Sequence, residues 1–364
     1  MKTIDRPLLF ITLILVVFGF FIFTSASLGL LAREGARFSS VAFSQLFFGM
    51  FLGSIFLLIM TKMKYRVLKP YALYIFIASL IATCFVFIPG LGFEANGARR
   101  WISLFGFTVQ PAEFLKLGFV IFLAAYLSNM RAKLGEYRYG LLPFIGALGA
   151  ASGVLLLQPD TGTVLVIASA GIAMYVAAGG KWRDLLILVL IAAIALSALV
   201  MQRPYLRERL ETYVNPSTNI QSTGYQLNQS LIAIGSGGVF GRGFGQSVQK
   251  FNYLPEPIGD SIFAVAAEEF GFVGALFLLL LFLAFAFRGL KVAARSPDYF
   301  GGLLIVGIVI LIVSQSFLNI GSMLGVFPLT GLPLLFISHG GTALLFALGS
   351  VGIILNISKF QKAS

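Results

Sequence analysis

Ten apolar stretches dominate the chain, near 8–27, 41–60, 70–88, 113–129, 139–157, 160–178, 184–201, 261–287, 301–322 and 338–357. A helix needs roughly 20 mainly apolar residues to cross a hydrocarbon core of about 30 Å, and each stretch approaches that length. Only 11% of the residues are charged, against about 25% in soluble domains. The expectation is an all-α, polytopic membrane protein of about ten transmembrane helices, forming one domain over 1–364. The first apolar run, Leu8 to Phe23, has basic flanks but no clean small-residue cleavage site, so it reads as a span rather than a removable leader. Cys84 is the single cysteine, which leaves neither a disulfide framework nor a thiolate metal site.

The net charge of +12 would suggest a nucleic-acid partner in a soluble protein. Here its placement is a topology signal. With the N-terminus inside, sixteen Lys and Arg fall in cytoplasmic segments, nine fall in outer segments, and Lys116 lies near the outer end of the fourth span. Both termini are therefore expected in the cytoplasm, with no nucleic-acid partner.

Two outer segments exceed what a connector needs. Residues 89–112 mix glycine, arginine and aromatics and are expected to lie along the interface, partly as a short amphipathic element. Residues 202–260 form one long extracellular loop before the eighth helix, with a surface helix expected between Arg203 and Asn219. Its last part, Gly235 to Asp260 (GSGGVFGRGFGQSVQKFNYLPEPIGD), is glycine-rich and ends on an acid where the sequence turns apolar. Both segments, with Gln158–Asp160 and Pro328–Gly341, are expected to converge on one outward-facing cavity. Its glycines follow no βαβ unit, so no nucleotide fingerprint is present.

Each polar residue near that face has two open readings. Glu113 and Lys116, at i, i+3 in QPAEFLKL, share a helix face and either brace a helix end or present an ammonium to phosphate. Asp160 in QPDTGT is either a helix cap or, beside Gln158, a ligand for a divalent cation. Arg99 and Arg100 are interface anchors or phosphate contacts, and Lys250 is solvated or substrate-facing. Asp260 either caps the eighth helix or does chemistry. Glu268 lies two turns further along, on broadly the same face. His339, in Ser338–His339–Gly340–Gly341, reads as a packing residue, and no nucleophile context supports a triad with Ser338.

QPAEFLKL, QPDTGT, the run from AIGSGG through LPEPIGDSIFAVAAEEFGFVG, and NIGSMLGVFPLTGLPLLFISHGGTALL together resemble the SEDS family, the RodA/FtsW proteins of bacterial cell-wall synthesis. GARRWI and GLPLLFISHGG lean towards the FtsW branch. The resemblance implies a glycosyltransferase of the bacterial cytoplasmic membrane that polymerises lipid II. It also implies a class B penicillin-binding protein as transpeptidase partner, and places the family's key aspartate on Asp260. The family commonly reads LPExHTD where Ile258–Gly259 stand here, and SYGG where this chain has SHGG.

Glycan extension removes a proton from a sugar hydroxyl as it attacks the donor's anomeric carbon. A partly buried carboxylate suits that task, and Asp260 is the expected general base. A departing lipid diphosphate calls for cations rather than a second acid. Substrate contacts are expected from Glu113, Lys116, Asp160, Arg99, Arg100, Lys250, Gln158 and Ser338. Mg2+ or Mn2+ on Asp160 is the one cofactor considered, and no organic cofactor is expected. Membrane lipids surround the spans. A lipid II flippase and a non-catalytic scaffold are the competing functions.

Overall fold

The computed structural model describes residues 3–33, 35–95, 98–104, 107–215 and 223–361. Lys2, Lys362 and the 216–219 end of the expected surface helix lie outside them. Helices stand at all ten expected places. Seven are long and apolar enough to cross a membrane by length and composition, and three shorter apolar helices accompany them. In chain order they are α1 (Arg6–Arg33), a rod made of α2 (Gly35–Phe43), a π-helical stretch (Ser44–Leu52) and α3 (Gly53–Lys62), then α4 (Ala72–Cys84) and α5 (Pro111–Asn129). There follow α6 (Leu141–Leu157), α7 (Thr161–Ala177) and α8 (Trp182–Gln202). Between α8 and the next long helix lie α9 (Pro204–Val214), α10 (Thr223–Ser236) and the single turn α11 (Gln249–Asn252). The chain then forms α12 (Ile262–Ala294), α13 (Tyr299–Met323) and α14 (Gly341–Ser358). About half of the long loop's described residues are thus helical, and α9 falls where the charged run predicts it.

Local chemistry sets several helix starts. Pro111 opens α5, where its missing N–H costs nothing. Asp160 and Asp298 cap α7 and α13 by accepting the backbone N–H groups of Thr163 and Gly301. Between α3 and α14 the backbones approach closely: a Cβ on Gly352 would stand 2.5 Å from the Leu57 carbonyl, the small-residue contact that lets helices associate without a hydrophobic drive.

The amphipathic element expected over 89–112 is corrected to a three-stranded antiparallel meander, β1 (Gly92–Ala95), β2 (Ala98–Leu104) and β3 (Phe107–Val109). Gly92 pairs with Ile102, and Ile102 in turn pairs with Val109. Side chains alternate along a strand. Ala98 and Ile102 are buried while Arg99 and Ser103 are exposed, so Arg100, in phase with the buried pair, turns towards the bundle.

α12 is interrupted once. Gly271 takes φ 66° and ψ −165° inside it, a conformation open to glycine and strained for other residues. On either side, the N–H groups of Arg242 and Gly243 donate to the carbonyls of Glu268 and Glu269, and those of Phe272 and Val273 donate to Gly238 and Val239. The glycine-rich run is laced by main-chain bonds onto the broken helix.

Candidate active site

Asp260 sits where the end of the long loop meets the segment between α13 and α14. Asn319 on α13 donates both of its Nδ2 hydrogens, one to the Asp260 carbonyl and one to the Leu332 carbonyl, each at 2.7 Å. Ser338 Oγ donates to Gly259 O at 2.7 Å and accepts from Leu334 N at 2.8 Å. The His339 N–H donates to Ile258 O. Ser338 is therefore a clip between the two segments, with its hydroxyl engaged on both sides. Imidazole–phenyl stacking against Phe23 fits the packing role expected of His339.

The carboxylate of Asp260 is less well served than its backbone. Its Oδ1 is shut away from solvent with no hydrogen-bond partner among the described residues, although the residue as a whole keeps some exposure. Burial, helped by the charge of Glu256, pushes the acid up to about 6. Hydrogen bonding by Gln226 of α10 and the charge of Arg209 pull the other way without cancelling it.

Arg209, on α9, is the neighbour the sequence did not single out. Its Nη1 donates to Thr330 O at 3.2 Å. A Cβ on Gly331, which has φ +67°, would lie 3.6 Å from Arg209 Nη2 and 3.9 Å from Asp260 Oδ2. Glycine thus keeps open the space between acid and guanidinium. Burial and the nearby charge of Arg100 push the Arg209 guanidinium below its ordinary value, while Asp260 and Asp160 oppose them. Arg100 approaches from β2, with Nε donating to Gln158 O at 3.2 Å and Nη2 to Pro159 O. Two guanidinium groups and two carboxylates therefore influence one another at this end of the bundle.

The other expected residues fall into different surroundings. Arg99 points away and pairs with Glu94 across the sheet at 2.9 Å, both exposed. Gln158 is buried, with Nε2 donating to Thr83 O at 2.8 Å. Asp160 Oδ1 accepts from the Thr163 N–H and Oδ2 from its hydroxyl, at 3.2 and 2.8 Å. Both oxygens are spent on Thr163, and among the described residues no group of three or more acidic, His or Cys side chains surrounds Asp160. This arrangement fits a cap better than a cation ligand, so no chemical step is assigned to a cation.

Glu113 and Lys116 form a buried ion pair at 2.8 Å, and Lys116 Nζ also donates to Gln315 Oε1 at 2.6 Å. Gln315 Nε2 donates onward to Pro333 O at 3.0 Å. The pair thus reaches the site indirectly, along α13 and the 332–333 backbone. Lys250 is buried too. Its Nζ donates to Ser25 Oγ, Gly245 O and Glu269 Oε1 at 2.9, 2.9 and 2.7 Å, which uses all three of its donors. Glu268 faces the loop as well, accepting from Ser247 Oγ at 2.5 Å and from Val248 N at 3.1 Å. Gln315 and Asn319 had a legible signal: two amides at i, i+4 in an apolar helix share one face, and polar groups at such depth have partners. Arg209 had none beyond its place in a charged surface helix.

Fold and site define a multi-pass helical membrane protein whose buried polar side chains link the long loop, the sheet and the α13–α14 connection. A family model described as "Cell cycle protein", of FtsW, RodA and SpoVE, matches residues 6–363, and the chain belongs to that family. It is 37% identical over 358 residues to stage V sporulation protein E of Bacillus subtilis, covering 98% of each chain. It is also 37% identical over 313 residues to a probable peptidoglycan glycosyltransferase FtsW of Geobacter metallireducens, covering 86% of this chain and 84% of that one. Among solved structures, a chain of a peptidoglycan synthase complex superposes with a TM-score of 0.79 at 27% identity, covering 99% of both. The rod shape determining protein RodA of Thermus thermophilus matches with a TM-score of 0.71 at 28% identity, covering 99% of this chain and 98% of that one. This protein is accordingly a multi-pass protein of the bacterial inner membrane.

Proposed function

We propose that this chain is a peptidoglycan glycosyltransferase that polymerises lipid II, with Asp260 as its general base. The observation that carries the assignment is the half-buried Asp260 carboxyl, raised to about 6 and open across Gly331 to a guanidinium. Such an acid is ionised at neutral pH yet basic enough to accept a hydroxyl proton. In the reaction the acceptor hydroxyl gives its proton to Asp260 as its oxygen attacks the donor's anomeric carbon. The bond from that carbon to the diphosphate oxygen breaks, and the diphosphate leaves with the electron pair. Arg100 and Arg209 are placed to hold the negative charge that develops on it. Glu113, Lys116, Lys250 and Ser338 act as braces for the segments that carry the base, rather than as contacts to substrate.

The charge bias puts both termini and the basic end in the cytoplasm, and the Asp260 end at the outer face. A class B penicillin-binding protein is the partner that would crosslink the product. The structurally similar synthase complex is described as coordinating polymerization and crosslinking.

Purified protein, alone and with its partner, is assayed for polymer from purified lipid II. Wild type makes glycan strands, while Asp260→Asn binds the partner and makes none. Full activity in Asp260→Asn removes the base assignment. Lipid II crossing liposomes without polymer would make the protein a flippase.

A further inference from the structure

The far end of the bundle holds a cavity of about 570 Å3 that the proposed chemistry does not use. It is lined by the start of α13 and the last turns of α12, and Arg131 and Ala177 close it. Tyr299 lines it, while Asn319 beside Asp260 lies twenty residues further along α13, or about 30 Å at the helical rise. The volume falls within the range of small-molecule sites, about 300–1,000 Å3.

Its walls are amphipathic. Leu290, Leu303 and Val306 supply its apolar lining, with Leu303 buried, while Arg131, Tyr299 and Asp298 supply its polar edge. The acid there is already satisfied. Asp298 Oδ1 accepts from the Gly301 N–H at 2.8 Å, and Oδ2 accepts from Arg66 Nε at 3.1 Å and from the Tyr65 hydroxyl. Burial alone would raise this carboxyl, but those bonds outweigh it and hold the group below its usual range. The base is not satisfied in that way. The Arg131 guanidinium carbon lies 4.3 Å from the Tyr299 ring centroid, and its N–H groups donate to no acceptor among the described residues. Stacking on tyrosine fixes the plane of the guanidinium and leaves its edge available to an oxyanion.

We propose that this cavity binds the head group and first methylenes of an anionic phospholipid, with Arg131 holding the phosphate. An amphiphile is required because the wall beneath the arginine is apolar and lies in a membrane-spanning bundle. An anion is required because the one uncommitted charge at the mouth is positive, and the surrounding chain adds Lys133, Lys291 and Arg295. Basic pockets between membrane helices on the cytoplasmic side bind acidic head groups on the same principle.

The test is native mass spectrometry of the full chain released from nanodiscs made of phosphatidylglycerol or of phosphatidylcholine. Wild type retains one phosphatidylglycerol per chain and does not retain phosphatidylcholine. Arg131→Ala lowers that retention about tenfold, the worth of a charge-assisted contact, and Leu303→Trp lowers it by filling the cavity. Lys133→Ala removes the same charge from the same turn, where its ammonium lies over Tyr139 instead, and keeps the lipid. Equal losses in Arg131→Ala and Lys133→Ala would mean diffuse attraction to an acidic surface and would overturn the proposal. So would equal retention of phosphatidylcholine, or no retained lipid in wild type. Arg131 is exposed and its guanidinium stacks on the Tyr299 ring, so its replacement should leave the fold intact.

Discussion

Replacing Asp260 by asparagine should stabilise the protein at neutral pH while abolishing its chemistry. Lifting the carboxyl from 3.8 to about 6 means that the folded state resists ionising it. That penalty is about 3 kcal/mol at pH 7.5 for full burial, at 1.36 kcal/mol per pH unit. The partial exposure of the residue reduces it to roughly 1–3 kcal/mol. The sign follows from proton binding: between 3.8 and 6 the folded state holds more protons than the unfolded chain, so wild-type stability falls as pH rises through that window. An amide carries no charge and escapes the loss. Thermal unfolding followed by intrinsic fluorescence should place Asp260→Asn roughly 1–4 °C above wild type at pH 7.5, with the gap closing towards pH 4. Lipid II polymerisation by wild type should fall below about pH 6, where the base is protonated. A variant that is less stable at pH 7.5, or a gap that ignores pH, would refute the picture of a strained, desolvated acid.

Three further substitutions probe the surroundings. Asn319→Leu removes the two amide bonds that fix the Asp260 and Leu332 carbonyls, and should cost about 2–4 kcal/mol in unfolding experiments, two unsatisfied buried groups' worth, with kcat falling more than KM rises. Gly331→Ala meets only ordinary contacts but must hold φ +67°. It should lose about 1 kcal/mol of stability, and polymerisation should fall because the methyl enters the space between Arg209 and Asp260. Glu113→Gln strands the buried Lys116 ammonium and should cost about 3–5 kcal/mol, whereas replacing both partners by methionine should recover much of that in the same unfolding assay.

The spans were legible because twenty-residue apolar runs leave a chain few other structures. Interruptions within them are read less easily. Gly271 looks like any other small residue in a membrane helix, and its break is visible only once Val239 and Gly241 are seen packed against it. The sheet was hidden for a different reason. Its strands are three to seven residues long, too short for alternation to stand out among glycines and arginines. That alternation nevertheless decides which of two adjacent arginines enters the site, sending Arg100 in and Arg99 out. Asp260 drew attention because an acid at the edge of an apolar run has few idle roles, and the structure sets it at the junction of the long loop with the α13–α14 connection. Lys250 was not, since a lysine in a glycine-rich loop gives no sign that Ser25 of α1 and Glu269 of α12 close around it.

The stitching of the glycine-rich run to both halves of α12 has a mechanical consequence. Four main-chain bonds flank Gly271, and Lys250 adds a buried anchor to α1 and α12. The run and the helix must therefore shift together. Phe240, exposed at the tip of that run, therefore belongs to the same mechanical unit as the broken middle of α12, so a push on its side chain is borne by the helix and not absorbed by a slack loop.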